Sequence, residues 1–383
     1  MALLQLGFRL FFLAGSAYAV IAAPLWVAAL FGLVDHQPYA DWLSWHRHEM
    51  MFGFVMAIVA GFLLTAVQNW TGRRGLSGWP LGGLVLFWLA ARLAWLFNAP
   101  AWLLPAVDVC FALALAGIML RFLLPVRQSR NYPIVVVLVL LGLANLVSHL
   151  GLLQNDYALH RQGVLAAIWL VIALVTLIAG RVIPFFTANG LGSKQAAKPL
   201  PWLDNGLLLG TVFLAVLHLP GIGLVATPWL SAVFVLLAAG HLTRLINWYQ
   251  PGIWQVPLLW SLHLAYAWLV LGMLTLAAWH LGWANSFSQG LHLMTIGTMA
   301  GLILAMIARV SLGHTGRPLQ PPATMTWGFV LLNLAVPLRV GLGSFYPHYG
   351  FWLASLCWSA AFVLFLYHYG PMLCRPRTDG KPG

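Results

Sequence analysis

The chain holds thirteen histidines against only seven Asp and Glu together. A neutral imidazole offers one lone pair to a metal and one N–H to an orienting partner. Several of these histidines lie inside long apolar runs, and an ionisable side chain in a bilayer is costly enough to point to function. One pair is repeated. His48, Met50, Gly53, Thr71, Gly72 and Arg73 recur as His292, Met294, Gly297, Thr315, Gly316 and Arg317, all at a single offset of 244 residues. Two imidazoles at matched depth are what a six-coordinate haem iron takes on its axial positions. His46 stands two residues from His48, which is not one helix face. It reads as lying just outside the helix or as serving a second metal.

His241, His263 and His314 form a second candidate group. They would hold a copper or zinc ion, or one of them would ligate a second haem with an open position. The plainer reading of His314 is a loop residue before Arg317. His149, His160, His218, His280 and His348 fall near span ends and read as interface residues. Glu49 is the only glutamate. Beside His48 it would orient an imidazole, carry protons, or pair with Arg47. Glu49 and His263 are therefore the candidate catalytic residues. Arg92 and Arg339 are candidates for holding haem propionates through paired hydrogen bonds, whereas Arg181 and Arg309 read as snorkelling to the interface. Asp108 reads as a counter-ion for Arg92.

The elements that must position these groups are membrane helices. The composition is 62% hydrophobic and 7% charged, where a soluble domain carries about a quarter charged residues. Apolar runs of spanning length recur near 9–34, 46–67, 79–98, 104–124, 133–153, 163–187, 203–219, 226–247, 256–280, 289–312, 324–343 and 349–372. The fold class expected is an all-α integral membrane protein of about twelve spans, a single polytopic domain over 1–383. Basic residues gather in alternate loops: Arg73 and Arg74, Arg127 and Arg130, Lys194 and Lys198, Arg317, then Arg375 and Arg377. The intervening loops hold Asp35, Asp41 and Asp156. Positive-inside logic puts both termini in the cytoplasm. It also accounts for the net charge of +12 without nucleic acid. No cleavable signal is expected, because the apolar run after Arg9 is too long. The three cysteines form no CxxCH, which excludes covalent c-type haem. No HExxH, GxSxG, Walker loop or dinucleotide fingerprint is present.

The repeat extends beyond the histidines. Ala17-Tyr18-Ala19 matches Ala265-Tyr266-Ala267 at an offset of 248, and Arg181, Val182 and Thr187 match Arg309, Val310 and Thr315 at an offset of 128. Three four-helix units in a pseudo-threefold arrangement follow, over 1–130, 131–250 and 251–383. Parallel repeats of this kind build other membrane bundles.

Four motifs carry a family resemblance. They are Trp45-His46-Arg47-His48-Glu49-Met50 with Phe52-Gly53, Gly180-Arg181-Val182-Ile183-Pro184-Phe185-Phe186-Thr187, Leu262-His263-Leu264-Ala265-Tyr266-Ala267-Trp268, and Ala308-Arg309-Val310-Ser311-Leu312-Gly313-His314-Thr315-Gly316-Arg317. In order, and over essentially the whole chain, they resemble the NnrS family. The resemblance implies a bacterial inner-membrane protein of nitric oxide metabolism and nitrosative stress, with haem and copper as cofactors. The architecture also looks like the catalytic subunit of haem–copper oxidases and nitric oxide reductases, whose low-spin haem ligands lie on helices 2 and 10. It departs from them in that span 6 has no internal histidine. The function expected is binding, and reduction or detoxification, of nitric oxide by a protein holding one or two haem b groups and copper. A nitric oxide reductase would need an electron donor, a quinol or a cytochrome. The alternatives are a non-catalytic nitric oxide sensor or scavenger, and a transporter of metal, haem or a metal–nitrosyl species.

Overall fold

A computed structural model describes residues 2–193 and 196–380. Lys194 lies outside the described residues. Twelve helices are long and apolar enough to cross a membrane: α1 (Gly7–Leu30), α2 (Trp42–Thr71), α3 (Trp79–Leu96), α4 (Leu103–Val126), α5 (Ser129–Leu153), α6 (Tyr157–Gly190), α7 (Pro201–His218), α8 (Pro228–Trp248), α9 (Pro257–His280), α10 (Phe287–His314), α11 (Ala323–Phe345) and α12 (Pro347–Cys374). The protein is an all-α multi-pass membrane protein, with no strand among the described residues. A backbone in hydrocarbon must satisfy its own polar groups, and the helix does so within one segment.

Helix starts are set by local chemistry. Asp41 accepts the N–H groups of Leu43 and Ser44, an N-cap that begins α2 ahead of the apolar run. His46 is therefore inside the helix, with its ring stacked on Trp26 at 4.8 Å. Asp156 accepts from Ala158 and Leu159 and opens α6 in the same way. Proline at the first helical turn starts α7, α8 and α9.

Among the described residues, three helices contain a wide π-helical segment: α11, over Leu338–Leu342, and the two that carry the repeated histidines. A wide π-helical segment runs over Glu49–Val55 in α2 and over Leu293–Ala300 in α10. Each begins one residue after the repeated histidine, at Glu49 and at Leu293. Each helix then ends at a glycine in the left-handed region, Gly72 at φ +66° and Gly316 at φ +77°, where a side chain would strain the backbone.

The chain divides into two compact units. Unit 1 comprises Met1–Ala167, Ile307–Gln320 and Phe362–Gly383, and unit 2 comprises Ile168–Met306 and Pro321–Ala361. In unit 1, α1 packs on α2, and α4 packs on α3 and α5. Trp45, Trp95, Leu104 and Leu152 form a dry cluster there. In unit 2, α9 packs on α8 and against the wide segment of α10.

Candidate metal centre

Five helices of unit 1 deliver one polar side chain or more to a common point. α2 brings His48 and Glu49 at the start of its wide segment, and such segments recur at functional sites. α5 brings Asn145 and His149, which are four residues apart and so on one face. α4 brings Asp108, and α3 brings Arg92 and Trp95 from one face. α1 brings Tyr18. His48 and Glu49 are fully buried, and Asp108, His149, Asn145 and Arg92 are buried.

The centre is built around the Asp108 carboxylate. Its Oδ2 lies 3.0 Å from His48 Nε2 and 3.4 Å from His149 Nε2. The ligand atoms of these three residues all fall within 4.8 Å of one another. Asn145 Oδ1 is 2.9 Å from His48 Nε2. On its other side, Asp108 Oδ1 accepts from Arg92 at 2.5 Å, and Trp95 Nε1 donates to Oδ2 at 3.3 Å. His48 Nδ1 faces Glu49 Oε1 at 3.1 Å. Glu49 Oε2 pairs with Arg92 Nε at 3.1 Å and accepts the Tyr18 hydroxyl. The Trp95 ring stacks on the His48 imidazole at 4.3 Å.

Charge and protons do not balance within this set. Two carboxylates meet one guanidinium, which leaves one negative charge in a buried site, and a buried charge without a partner is strongly disfavoured. His48 also has an acceptor oxygen at each ring nitrogen, whereas a neutral imidazole has one N–H to give. The arrangement closes on one further positive charge at the Nε2 side. A second proton on His48 supplies it, whereas a divalent ion shared by His48, Asp108 and His149 would supply it with one charge to spare.

Glu49 Oε1 lies 3.1 Å from His48 Nδ1, and Asp108 is a counter-ion of Arg92. Arg92 is engaged by both carboxylates. His292 belongs to unit 2, where its Nδ1 donates to the Ser288 carbonyl at 2.7 Å. His241 and His263 also belong to unit 2, and His314 to unit 1, its ring against Phe8 at 5.6 Å. Arg339 lies over the Phe351 ring at 4.0 Å.

Unit 2 has a polar network of its own. Arg244, buried, donates to the Tyr266 hydroxyl at 3.1 Å and to the Thr176 carbonyl at 3.0 Å, and its Nε faces Asp204 at 3.1 Å. Tyr266 in turn meets His241 Nδ1 at 2.6 Å. His241 Nε2 is buried without a hydrogen-bond partner among the described residues.

Sequence reasoning passed over His149, which read as an interface residue, and Asn145. The available signal was a polar run, Asn145 with Ser148 and His149, inside an otherwise apolar span. It faces Asp108, an aspartate well inside a span.

The description "NnrS protein" matches residues 2–377. The chain belongs to the NnrS family. Membership makes it a nitric-oxide-related membrane protein of a family associated with haem and metal binding. No curated protein matches the chain.

Proposed function

We propose that this NnrS-family chain binds nitric oxide at a redox-active metal buried in its helix bundle, as a bacterial inner-membrane protein of nitrosative-stress defence. The observation that supports this reading is the buried centre of unit 1, which lacks one positive charge beside three ligand-type side chains. Nitric oxide is small and uncharged, and it enters hydrocarbon directly. A site among membrane helices receives it without an aqueous channel. The surrounding side chains would hold the geometry: Glu49 fixes the His48 ring through Nδ1, Arg92 fixes both carboxylates, and Tyr18 fixes Glu49.

Haem, which the family implies, fits unit 2. A haem iron needs one protein nitrogen or two, and His241 keeps a buried Nε2 with no hydrogen-bond partner among the described residues. His241 is the residue that would hold it, and when bound it would supply a second position for nitric oxide. His48 on this reading serves the unit 1 centre. Reduction of nitric oxide would in addition draw electrons from a quinol or cytochrome.

Anaerobic titration of the purified protein with nitric oxide, followed by optical and electron paramagnetic resonance spectra, tests the reading. It predicts a stoichiometric metal–nitrosyl signal. A protein that carries metal yet shows no spectral response to nitric oxide refutes it. Consumption of nitric oxide over many turnovers with an artificial reductant then marks an enzyme, and a single equivalent bound marks a scavenger or sensor.

A further inference from the structure

We propose that unit 1 holds one non-haem ferrous ion, ligated by His48 Nε2, His149 Nε2 and an Asp108 carboxylate oxygen, with Asn145 Oδ1 as the neighbouring oxygen donor. The proposal deepens the nitric oxide reading by naming its metal, and it rests on that reading only for the role of the ion.

The spacing suits a single ion. Two ligand atoms about 2.1 Å from one metal stand about 3.0 Å apart at a right angle and about 3.4 Å apart at the tetrahedral angle. The two separations from Asp108 Oδ2 are 3.0 Å to His48 and 3.4 Å to His149. The third separation, between the two imidazole nitrogens, lies within 4.8 Å, so an ion of ordinary bond length fits where the two rings stand within about 4.2 Å of each other.

The donors indicate the kind of metal. Two imidazoles and one carboxylate that leave further positions open are the set used by non-haem iron, whereas thiolate and thioether donors select cuprous copper. No cysteine belongs to the converging group among the described residues. Closed structural zinc takes four protein ligands, and catalytic zinc takes three, two His and a carboxylate among them, so uptake of zinc in preference to ferrous ion would also overturn the assignment. An open position on a ferrous ion is what nitric oxide would occupy.

The supporting contacts have the pattern of a metal site. A ligating histidine donates its other N–H to a carboxylate or carbonyl, and a ligating carboxylate is itself hydrogen-bonded. His48 Nδ1 faces Glu49, and Asp108 is held by Arg92 and by the Trp95 indole. The set carries two carboxylates against one guanidinium. That count allows a metal without selecting a divalent one: a divalent ion turns the one net negative charge into one net positive charge, and it takes the His48 lone pair, so that the remaining N–H can go to Glu49.

The test uses the full-length protein, chelated and reloaded anaerobically with ferrous, manganous or cobaltous ion, with metal-to-protein ratio as the readout and visible cobalt bands as a second one. We expect one equivalent of non-haem metal in the wild type and in His36→Ala, an exposed histidine. We expect its loss in His149→Ala and Asp108→Asn, and affinity about 10–100-fold weaker in Glu49→Gln, where only the orienting partner changes. His149→Ala is the decisive variant because it leaves both Arg92 ion pairs in place. Circular dichroism checks that its helices persist. A wild type that takes up none of these ions, one that takes up only cuprous copper, or a folded His149→Ala that keeps its full equivalent overturns the assignment. Metal bound through His149 with no nitrosyl signal supports the assignment and sinks the nitric oxide reading instead.

Discussion

Arg92 is the residue on which the unit 1 centre leans most. It is buried and bonded to both carboxylates. Removing one partner of a buried ion pair leaves the others uncompensated, at about 3–5 kcal/mol. Arg92→Ala is thus expected to lower the unfolding midpoint in detergent by several degrees and to lower metal content with it. A variant as stable as the wild type would show that the pairs contribute nothing. Tyr18→Phe removes one hydroxyl from Glu49 and keeps the ring, so its expected effect is smaller, about 1–3 kcal/mol, read in the same melting experiment. Residue chemistry was partly legible in the sequence. Glu49 beside His48, and Arg92 with Asp108, follow from their rarity in apolar segments. His149 did not follow, because its position near the end of α5 gives a harmless interface reading, and only the packing of α5 on α4 aims it at Asp108.

The helices α2 and α10 carry the next level of the design. A regular helix would have continued past His48 and past His292; both widen there, and both approach a neighbour through glycine. A Cβ at Gly53 would stand 3.0 Å from Glu49 Oε2 and from Tyr18 Cε1 and 3.1 Å from Arg92. At Gly297 it would run into the Trp268 side chain. Inserting a methyl group into such packing costs about 1–3 kcal/mol. Gly53→Ala is expected to disturb metal binding as well as stability. Gly297→Ala, in unit 2, is expected to lower stability alone. Equal metal loss in both would contradict the placement of the centre in unit 1. The 244-residue repeat points to two equivalent helices; the sequence does not reveal the wide segments, since a π-helical turn leaves no mark in apolar periodicity. The start of α2 was legible in principle from Asp41, whose cap sits before the apolar run and not at its edge.

For the whole molecule, twelve spans and alternate basic loops give a topology that composition alone supports. A reporter fused to the C-terminus is expected to be active in its cytoplasmic form. Periplasmic activity would reverse the orientation drawn from Arg73, Arg127, Arg317 and Arg375. Class and span number were readable because about twenty apolar residues suffice to define each helix. Which histidines meet was not readable, because convergence depends on how α2, α4 and α5 pack within unit 1, and a sequence records depth better than rotation about the helix axis. His48 and His292 share a depth in the sequence pattern, yet His48 takes Asp108, Asn145 and Glu49 as its partners.

The most direct test is electron paramagnetic resonance of the reduced protein exposed to nitric oxide, wild type against His149→Ala. A ferrous ion held by two imidazoles and a carboxylate gives a high-spin nitrosyl signal, distinct from the low-spin signal of a haem nitrosyl. The account predicts the high-spin signal in the wild type and its loss in His149→Ala, with any haem nitrosyl signal unchanged. A high-spin signal that survives in folded His149→Ala, or its absence from iron-loaded wild type, would contradict it.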